Sequence, residues 1–202
     1  MPEFANPLWL LALVGMAAYL IGAIPFGVVI ARVLGLGDLR QIGSGNIGAT
    51  NVMRTGNKLA GVLTFLLDAG KAAVAAFAAW AVFGADAGQI AALMAFLGHL
   101  FPVYLGFRGG KGVATFIGIA LALAWPVGLS ICLIWALVFK VSRYSSLAAL
   151  VASAVSPVLL LVWGYPGLVV LFIALTAMIF VKHDQNIRRL ISGTESRFER
   201  KK

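Results

Sequence analysis

Of the 202 residues, 61% are hydrophobic and 11% charged, with a mean hydropathy of +0.98. That is more apolar side chain than a soluble domain of this size can hide from water. The net charge of +9 does not indicate nucleic acid, because the basic residues are scattered between apolar runs and form no single stripe with interleaved aromatics. The long Leu, Ala, Val and Phe runs also lack the period-two alternation of a membrane barrel, which leaves an all-α, polytopic membrane protein.

In chain order, apolar spans are predicted at about 7 to 33, 59 to 83, 87 to 105, 113 to 125, 127 to 141, 146 to 163 and 166 to 182. The fourth and fifth are short and separated only by Trp125-Pro126, so six spans is the competing count. The basic residues favour seven. With the N-terminus outside, the loops after spans one, three, five and seven face the cytoplasm. They carry Arg32, Arg40, Arg54 and Lys58, then Arg108 and Lys111, then Lys140 and Arg143, then Lys182 with the basic tail. The opposite side carries no Lys or Arg, so the positive-inside rule predicts seven transmembrane helices, N-terminus out and C-terminus in.

The flank Met1 to Asn6 has no basic residue and the run after it is too long for a signal-peptide core, which predicts a retained span. Pro2, Glu3 and Phe4 read either as native residues or as a cloning remnant. No repeat, low-complexity linker or composition break appears, so residues 1–202 are expected to form a single domain. Ser192 to Lys202 read as a solvated tail able to touch anionic headgroups.

Three polar clusters interrupt this pattern, and the charge bookkeeping puts all three on the cytoplasmic face. The first, Gly43-Ser44-Gly45-Asn46-Ile47-Gly48-Ala49-Thr50-Asn51, is followed by Arg54. Closely spaced glycines let successive backbone N–H groups turn into one concavity, the usual cradle for phosphate oxygens. The run formally matches G-x-G-x-x-G, but the dinucleotide fingerprint needs a preceding strand and a parallel sheet, so that reading is rejected. A glycine-rich turn alone would not need so many amides and hydroxyls.

The second cluster runs from Gly98-His99 through Arg108-Gly109-Gly110-Lys111-Gly112 to Thr115. It is one residue short of Walker A spacing, with Gly112 where that motif needs Ser or Thr. The glycines, Arg108, Lys111 and the start of the following helix are still expected to form an anion site beside lipid. A pair of boundary charges alone would not require Gly109, Gly110 and Gly112.

The third cluster, His183-Asp184-Gln185-Asn186-Ile187-Arg188-Arg189, directly follows the apolar run from Leu168 to Val181. His183 suits a base, a phosphate donor or a positioning group, and sequence leaves these roles open. Four further polar or reactive positions lie within the spans. Asp68 and Lys71, three apart, can pair on one helix face. His99 is either a packed hydrogen-bond partner or a cavity residue. The lone Cys132 reads as a core thiol.

These clusters offer abundant anion recognition and no recognisable nucleophile: there is no G-x-S-x-G elbow, His-rich metal box or H-x-x-x-x-D signature. Chemistry built on them would rest on positioning and charge stabilisation of phosphorylated substrates. The alternative is a transporter for an anionic solute. That is disfavoured because transporters place broken-helix polar segments near the midplane.

GSGNIGATN with Arg54, GHLFPVYLGFRGGKGVAT and HDQNIRRLISGTE, in this order and with this span layout, resemble the bacterial acyl-phosphate:glycerol-3-phosphate acyltransferases of the PlsY type. The resemblance implies transfer of a fatty acyl group from acyl phosphate to the 1-hydroxyl of glycerol 3-phosphate, giving lysophosphatidic acid and phosphate. It also implies a multi-pass enzyme of the bacterial inner membrane, a cytoplasmic active site, no cofactor or metal, no acyl-CoA, and a monomer whose partners are its two substrates and membrane lipid. By motif position, Ser44, Lys111, His183 and Asn186 are the implied catalytic residues. Gly43, Gly45, Asn46, Thr50, Asn51, Arg54, Arg108, Gly109, Gly110, Gly112 and Arg188 are the implied phosphate-binding ones. The donor's own phosphate is the implied base.

Overall fold

The structure is a computed structural model that describes residues 5–198. Pro2, Glu3, Phe4 and the end of the basic tail lie outside the described residues. Within them all regular structure is helical. The chain divides into two compact units, residues 1–123 and 124–202.

In the first unit, α1 (Leu8–Ala23) and α2 (Phe26–Val33) are two parts of one apolar run. Pro25 separates them: it lacks the N–H for an i→i−4 bond and forces Ile24 out of the helical region, to φ −60° and ψ 116°. A short α3 (Ala49–Met53) leads into α4 (Lys58–Phe83), whose first turn is capped by the Asn57 side chain accepting from Ala60 N at 3.0 Å. With 26 residues, α4 rises about 39 Å, more than enough for a bilayer core. α5 (Ala85–Leu100) and α6 (Val113–Leu123) complete the unit.

Backbone proximity, made possible by small residues, holds these helices together. A Cβ on Gly22 would strike the Ala95 carbonyl, and one on Gly98 would strike the Tyr19 carbonyl, so α1 and α5 pack nearly backbone to backbone. Gly118 of α6 meets Ala69 of α4 in the same way. Ala72, Ala76, Ala87, Ala91 and Ala92 are fully buried, whereas Leu13, Leu66 and Val74 face outward. This inversion of the soluble pattern suits lipid, where large apolar side chains need no cover and close packing supplies the cohesion.

The second unit contains α7 (Trp125–Ser142), α8 (Ser145–Val162), α9 (Val169–Lys182) and α10 (Asp184–Ile191). Pro126 occupies the first turn of α7, where its missing N–H costs nothing. Pro157 lies inside α8 and frees the carbonyl of Ser153, which instead accepts from Ser156 Oγ at 2.7 Å and Thr176 Oγ1 at 3.0 Å.

Each of the seven expected apolar segments is helical. As membrane spans, however, five helices among the described residues are long and apolar enough. The bent pair Pro166–Lys182 and Asp184–Ile191, kinked by 63°, raises the count to six. Val113–Leu123 has 11 residues, about 16 Å of rise against a hydrocarbon core of about 30 Å. Composition flagged it as apolar. Its length, set by the Gly112 turn at one end and the non-helical Ala124 (φ −153°) at the other, is what sets it apart.

Candidate active site

The first cluster forms the turn between α2 and α4, and its shape is fixed by Asn51. That side chain is buried. Its Nδ2 donates to Leu39 O at 2.8 Å and to Asn46 O at 2.7 Å, while its Oδ1 accepts from Ser44 N at 3.0 Å. Both donors and an acceptor are therefore used inside the loop, so Asn51 serves as the latch that curls it. Gly43, at φ +52°, is seated against Asn51 and Arg54, where a Cβ would fall 2.6 Å from Asn51 Oδ1 and 2.7 Å from Arg54 Cδ. The guanidinium of Arg54 thus folds over the glycine turn. Ser44 is exposed and Asn46 and Thr50 are half-buried, at the open side of the loop. Beneath it Ile30, Ala31, Leu39, Ile47, Val52 and Ala60 form a small apolar base.

The second cluster turns back on the end of α5. After the 3-10 turn Val103–Leu105, Gly106 (φ +57°) and Phe107 (φ +64°) take left-handed conformations. That is costly for the non-glycine Phe107 and reverses the chain sharply. Gly109 N then donates to Leu100 O at 3.2 Å and Gly110 N to His99 O at 3.0 Å. This corrects the expectation that these glycines offer their N–H groups to an anion: both donors satisfy the carbonyls that α5 leaves unpaired at its C-terminus. The glycines are needed for closeness. A Cβ on Gly109 would collide with the His99 carbonyl, one on Gly110 with the His99 imidazole, and one on Gly112 with Phe96. Cationic side chains on this segment, Arg108 exposed and Lys111 half-buried, are the groups suited to anion recognition.

The structure brings these two clusters together. Arg40 Nη2 donates to Arg108 O at 3.3 Å, and Leu105 packs on the apolar base of the first loop. Arg40, Arg54, Arg108 and Lys111 therefore belong to one pair of adjoining loops. In the sequence Arg40 marks only topology. Its part in joining the loops depends on a tertiary contact that no motif announces.

Behind the second loop is a buried polar group. Lys71 Nζ donates to Asp68 Oδ1 at 2.7 Å and to Ile24 O at 2.6 Å, and stands 3.2 Å from His99 Nδ1. Asp68 and Lys71 pair as their spacing predicts. His99 is a packed hydrogen-bond partner.

The third cluster belongs to the second unit. His183 sits at the bend between α9 and α10, buried, with Nδ1 2.8 Å from Ile179 O. A carbonyl only accepts, so Nδ1 carries a proton. Asn186 is buried and donates Nδ2 to Glu195 Oε1 at 2.6 Å. Glu195 also accepts from Ser146 Oγ at 2.7 Å and Arg189 Nε at 2.7 Å. Burial pushes its carboxyl up, but hydrogen bonds from Ser146, Arg189 and Asn186, with the Arg189 charge, hold it net below the usual carboxylate range. Glu195 lies in the third motif, where nothing local announces its role. Arg188 is exposed and pairs with Asp184 at 3.0 Å.

Among the described residues, no group of three or more His, Cys, Asp or Glu could hold a metal ion.

Comparison with known proteins agrees with these motifs. The family model for glycerol-3-phosphate acyltransferase matches residues 12–193. A glycerol-3-phosphate acyltransferase of Jannaschia sp. (strain CCS1) is 60% identical, covering 92% of each chain. One from Cereibacter sphaeroides (strain ATCC 17025 / ATH 2.4.3) is 56% identical over 100% of this chain and 96% of its own. The crystal structure of PlsY (YgiH), an integral membrane glycerol 3-phosphate acyltransferase, in its glycerol 3-phosphate form superposes with a TM-score of 0.89 at 42% identity, covering 94% of this chain and 96% of that one. Its lysophosphatidic acid form gives 0.86 at 39% identity, covering 94% and 95%. This chain is therefore a multi-pass membrane protein that belongs to the glycerol-3-phosphate acyltransferase family of the PlsY type.

Proposed function

We propose that this protein transfers a fatty acyl group from acyl phosphate to the 1-hydroxyl of glycerol 3-phosphate, forming lysophosphatidic acid and inorganic phosphate. The observation that carries the reading is the pair of joined loops in the first unit, with Arg54, Arg108 and Lys111 around glycine turns. Two phosphorylated substrates bring several negative charges to a membrane surface, and fixed cations there lower the cost of holding them together. The naming of relatives as glycerol-3-phosphate acyltransferases supports the acceptor, and the glycerol 3-phosphate and lysophosphatidic acid forms of PlsY support acceptor and product.

In this mechanism the glycerol hydroxyl attacks the acyl carbonyl carbon, a new C–O ester bond forms, and the carbonyl–phosphate C–O bond breaks. Phosphate leaves and takes up the hydroxyl proton, so the donor supplies its own base. Lys111 and Arg54 stabilise the charge gathering on the carbonyl and phosphate oxygens, and Ser44, Asn46 and Thr50 orient them. Asn51, Gly43 and Gly45 hold the first loop in shape, and Gly109, Gly110 and Gly112 the second. By motif resemblance, His183 and Arg188 of the second unit serve the acceptor, His183 its hydroxyl and Arg188 its phosphate, with Asn186 held by Glu195. No cofactor and no metal takes part.

An acyl tail of a dozen or more methylenes, worth about 0.8 kcal/mol each when kept from water, stays in lipid or an apolar groove throughout. We place the N-terminus outside, the C-terminus and the reacting loops in the cytoplasm, and the monomeric protein in the bacterial inner membrane, with α6 as a seventh, short span. The support is that every Lys and Arg outside α4 falls on one side of such a path.

The test is purified protein in detergent given palmitoyl phosphate and glycerol 3-phosphate, with lysophosphatidic acid and phosphate measured. Equal release of both supports the reading. Intact substrates sink it, and activity with palmitoyl-CoA in place of palmitoyl phosphate overturns the donor.

A further inference from the structure

Lys71 lies in α4, carries no part of the three motifs, and is only 3% exposed at its side chain. An ammonium has three donors and no acceptor. Its three neighbours are the Ile24 carbonyl at the Pro25 break, Asp68 Oδ1, and His99 Nδ1. With Lys71 as the ammonium, the 3.2 Å contact requires His99 Nδ1 to accept and puts the imidazole proton on Nε2. Asp68 Oδ1 stands 3.7 Å from the same Nδ1, beyond hydrogen-bond reach, so Lys71 is the nearer partner of the ring. The opposite edge of the ring faces the second loop: Nε2 is the atom nearest to where a Gly110 Cβ would stand, and Gly110 N donates to His99 O at 3.0 Å. Lys111 follows directly.

We propose that Lys71 is a positioning residue for the loop that carries Arg108 and Lys111. It fixes His99 as the Nε2–H tautomer in one orientation, and that ring is the surface against which Gly110 is seated. A charge pair serving stability alone would be complete with Lys71 and Asp68. The third donor of Lys71 and the seat of Gly110 on the same imidazole are what connect the pair to the loop. Through Ile24 O the same ammonium ties the helix break that precedes the first loop, so one buried cation steadies the approach to both. The proposal rests on the reading of Arg108–Gly112 as a segment that binds substrate phosphate.

The experiment uses the full chain in detergent with 15N-labelled histidine. The sequence has two histidines, and the signal lost in His99→Gln identifies the one of interest. Long-range 1H–15N spectra of the wild type are expected to show His99 with a bare Nδ1 and a protonated Nε2. Two variants follow, Lys71→Met and the doubly neutral Asp68→Asn/Lys71→Met, the second because an unpaired buried Asp68 threatens folding.

In the folded variant His99 is expected to lose its single tautomer. KM for glycerol 3-phosphate or palmitoyl phosphate is expected to rise about tenfold while kcat changes less than about threefold. A wild-type His99 protonated on Nδ1 overturns the proposal, as does a folded double variant with wild-type KM values. If neither variant folds, the wild-type tautomer decides. A wild type that makes no lysophosphatidic acid refutes the proposed function instead, and leaves the tautomer result standing.

Discussion

Asn186 Nδ2 and Glu195 Oε1 are 2.6 Å apart, and the same carboxylate is bonded to Ser146 in α8 and to Arg189 in α10. One acidic side chain thus pins the chain after α10 to two helices of its unit and aims the Asn186 amide. Glu195→Gln would put an amide N–H against a donor and remove the charge that pairs with Arg189. Its folded carboxyl lies below the ordinary glutamate value of 4.5. The ionised form therefore stabilises the fold above that value, and the contribution is lost as pH falls through the folded one. Melting of wild type in detergent is expected to weaken below about pH 4.5. Glu195→Gln should melt lower at pH 7 and change less across that acid window, and superimposable curves would contradict the assignment.

Asn51→Ala removes the latch of the first loop while leaving Arg54 in place. The Leu39 and Asn46 carbonyls and the Ser44 N–H lose a partner, at about 1–3 kcal/mol for each of these groups that is buried and not rescued by water. The loop is expected to become protease-sensitive between residues 39 and 51. Acyl transfer should fall at least as far as in Ser44→Ala. Resistance to cleavage equal to wild type would show that the loop holds its shape without the amide.

How much of this was legible in the sequence depends on the kind of residue. The apolar runs gave helices at all seven expected places because lipid rewards composition directly, and Pro25 and Pro126 mark helix boundaries with a local cause, whereas Pro157 sits inside α8. The joined loops were half legible. Glycine with Arg or Lys announces an anion site, but whether a glycine N–H faces a ligand or a helix end is decided by tertiary contact, and Gly109 and Gly110 face the end of α5. Arg40 and Glu195 act through partners 68 and 49 positions away, Arg108 and Ser146. No local pattern encodes such pairs. The division at residue 123 was illegible because no change in composition marks it.

The crossing of α1 and α5 gives a prediction about folding alone. Gly22→Leu and Gly98→Leu each drive a side chain into a backbone carbonyl that cannot move without separating the helices. Overpacking in a well-packed core costs about 1–3 kcal/mol, and a collision with backbone belongs at or beyond the upper end. Size-exclusion profiles after detergent extraction should show aggregate or greatly reduced yield. Gly167→Leu, where an added side chain meets open space, should behave as wild type. Monodisperse, thermally normal Gly22→Leu would refute the close crossing.

Arg188 separates substrate binding from stability better than any other residue of the third motif. Its pair with Asp184 is exposed, the side chains being 79% and 60% accessible, and such pairs contribute less than about 1 kcal/mol to folding. Arg188→Ala should therefore leave the melting temperature nearly unchanged. Its effect is expected in KM for glycerol 3-phosphate, raised roughly tenfold or more if a charge-assisted bond to phosphate is lost. Lys111→Ala and His183→Ala, by contrast, should abolish turnover in protein that still elutes as a folded species. The three variants together discriminate a reaction site from a set of membrane-boundary charges. Boundary charges alone would leave all three near the wild-type rate, whereas a site predicts loss of kcat in two and a selective rise of KM in the third.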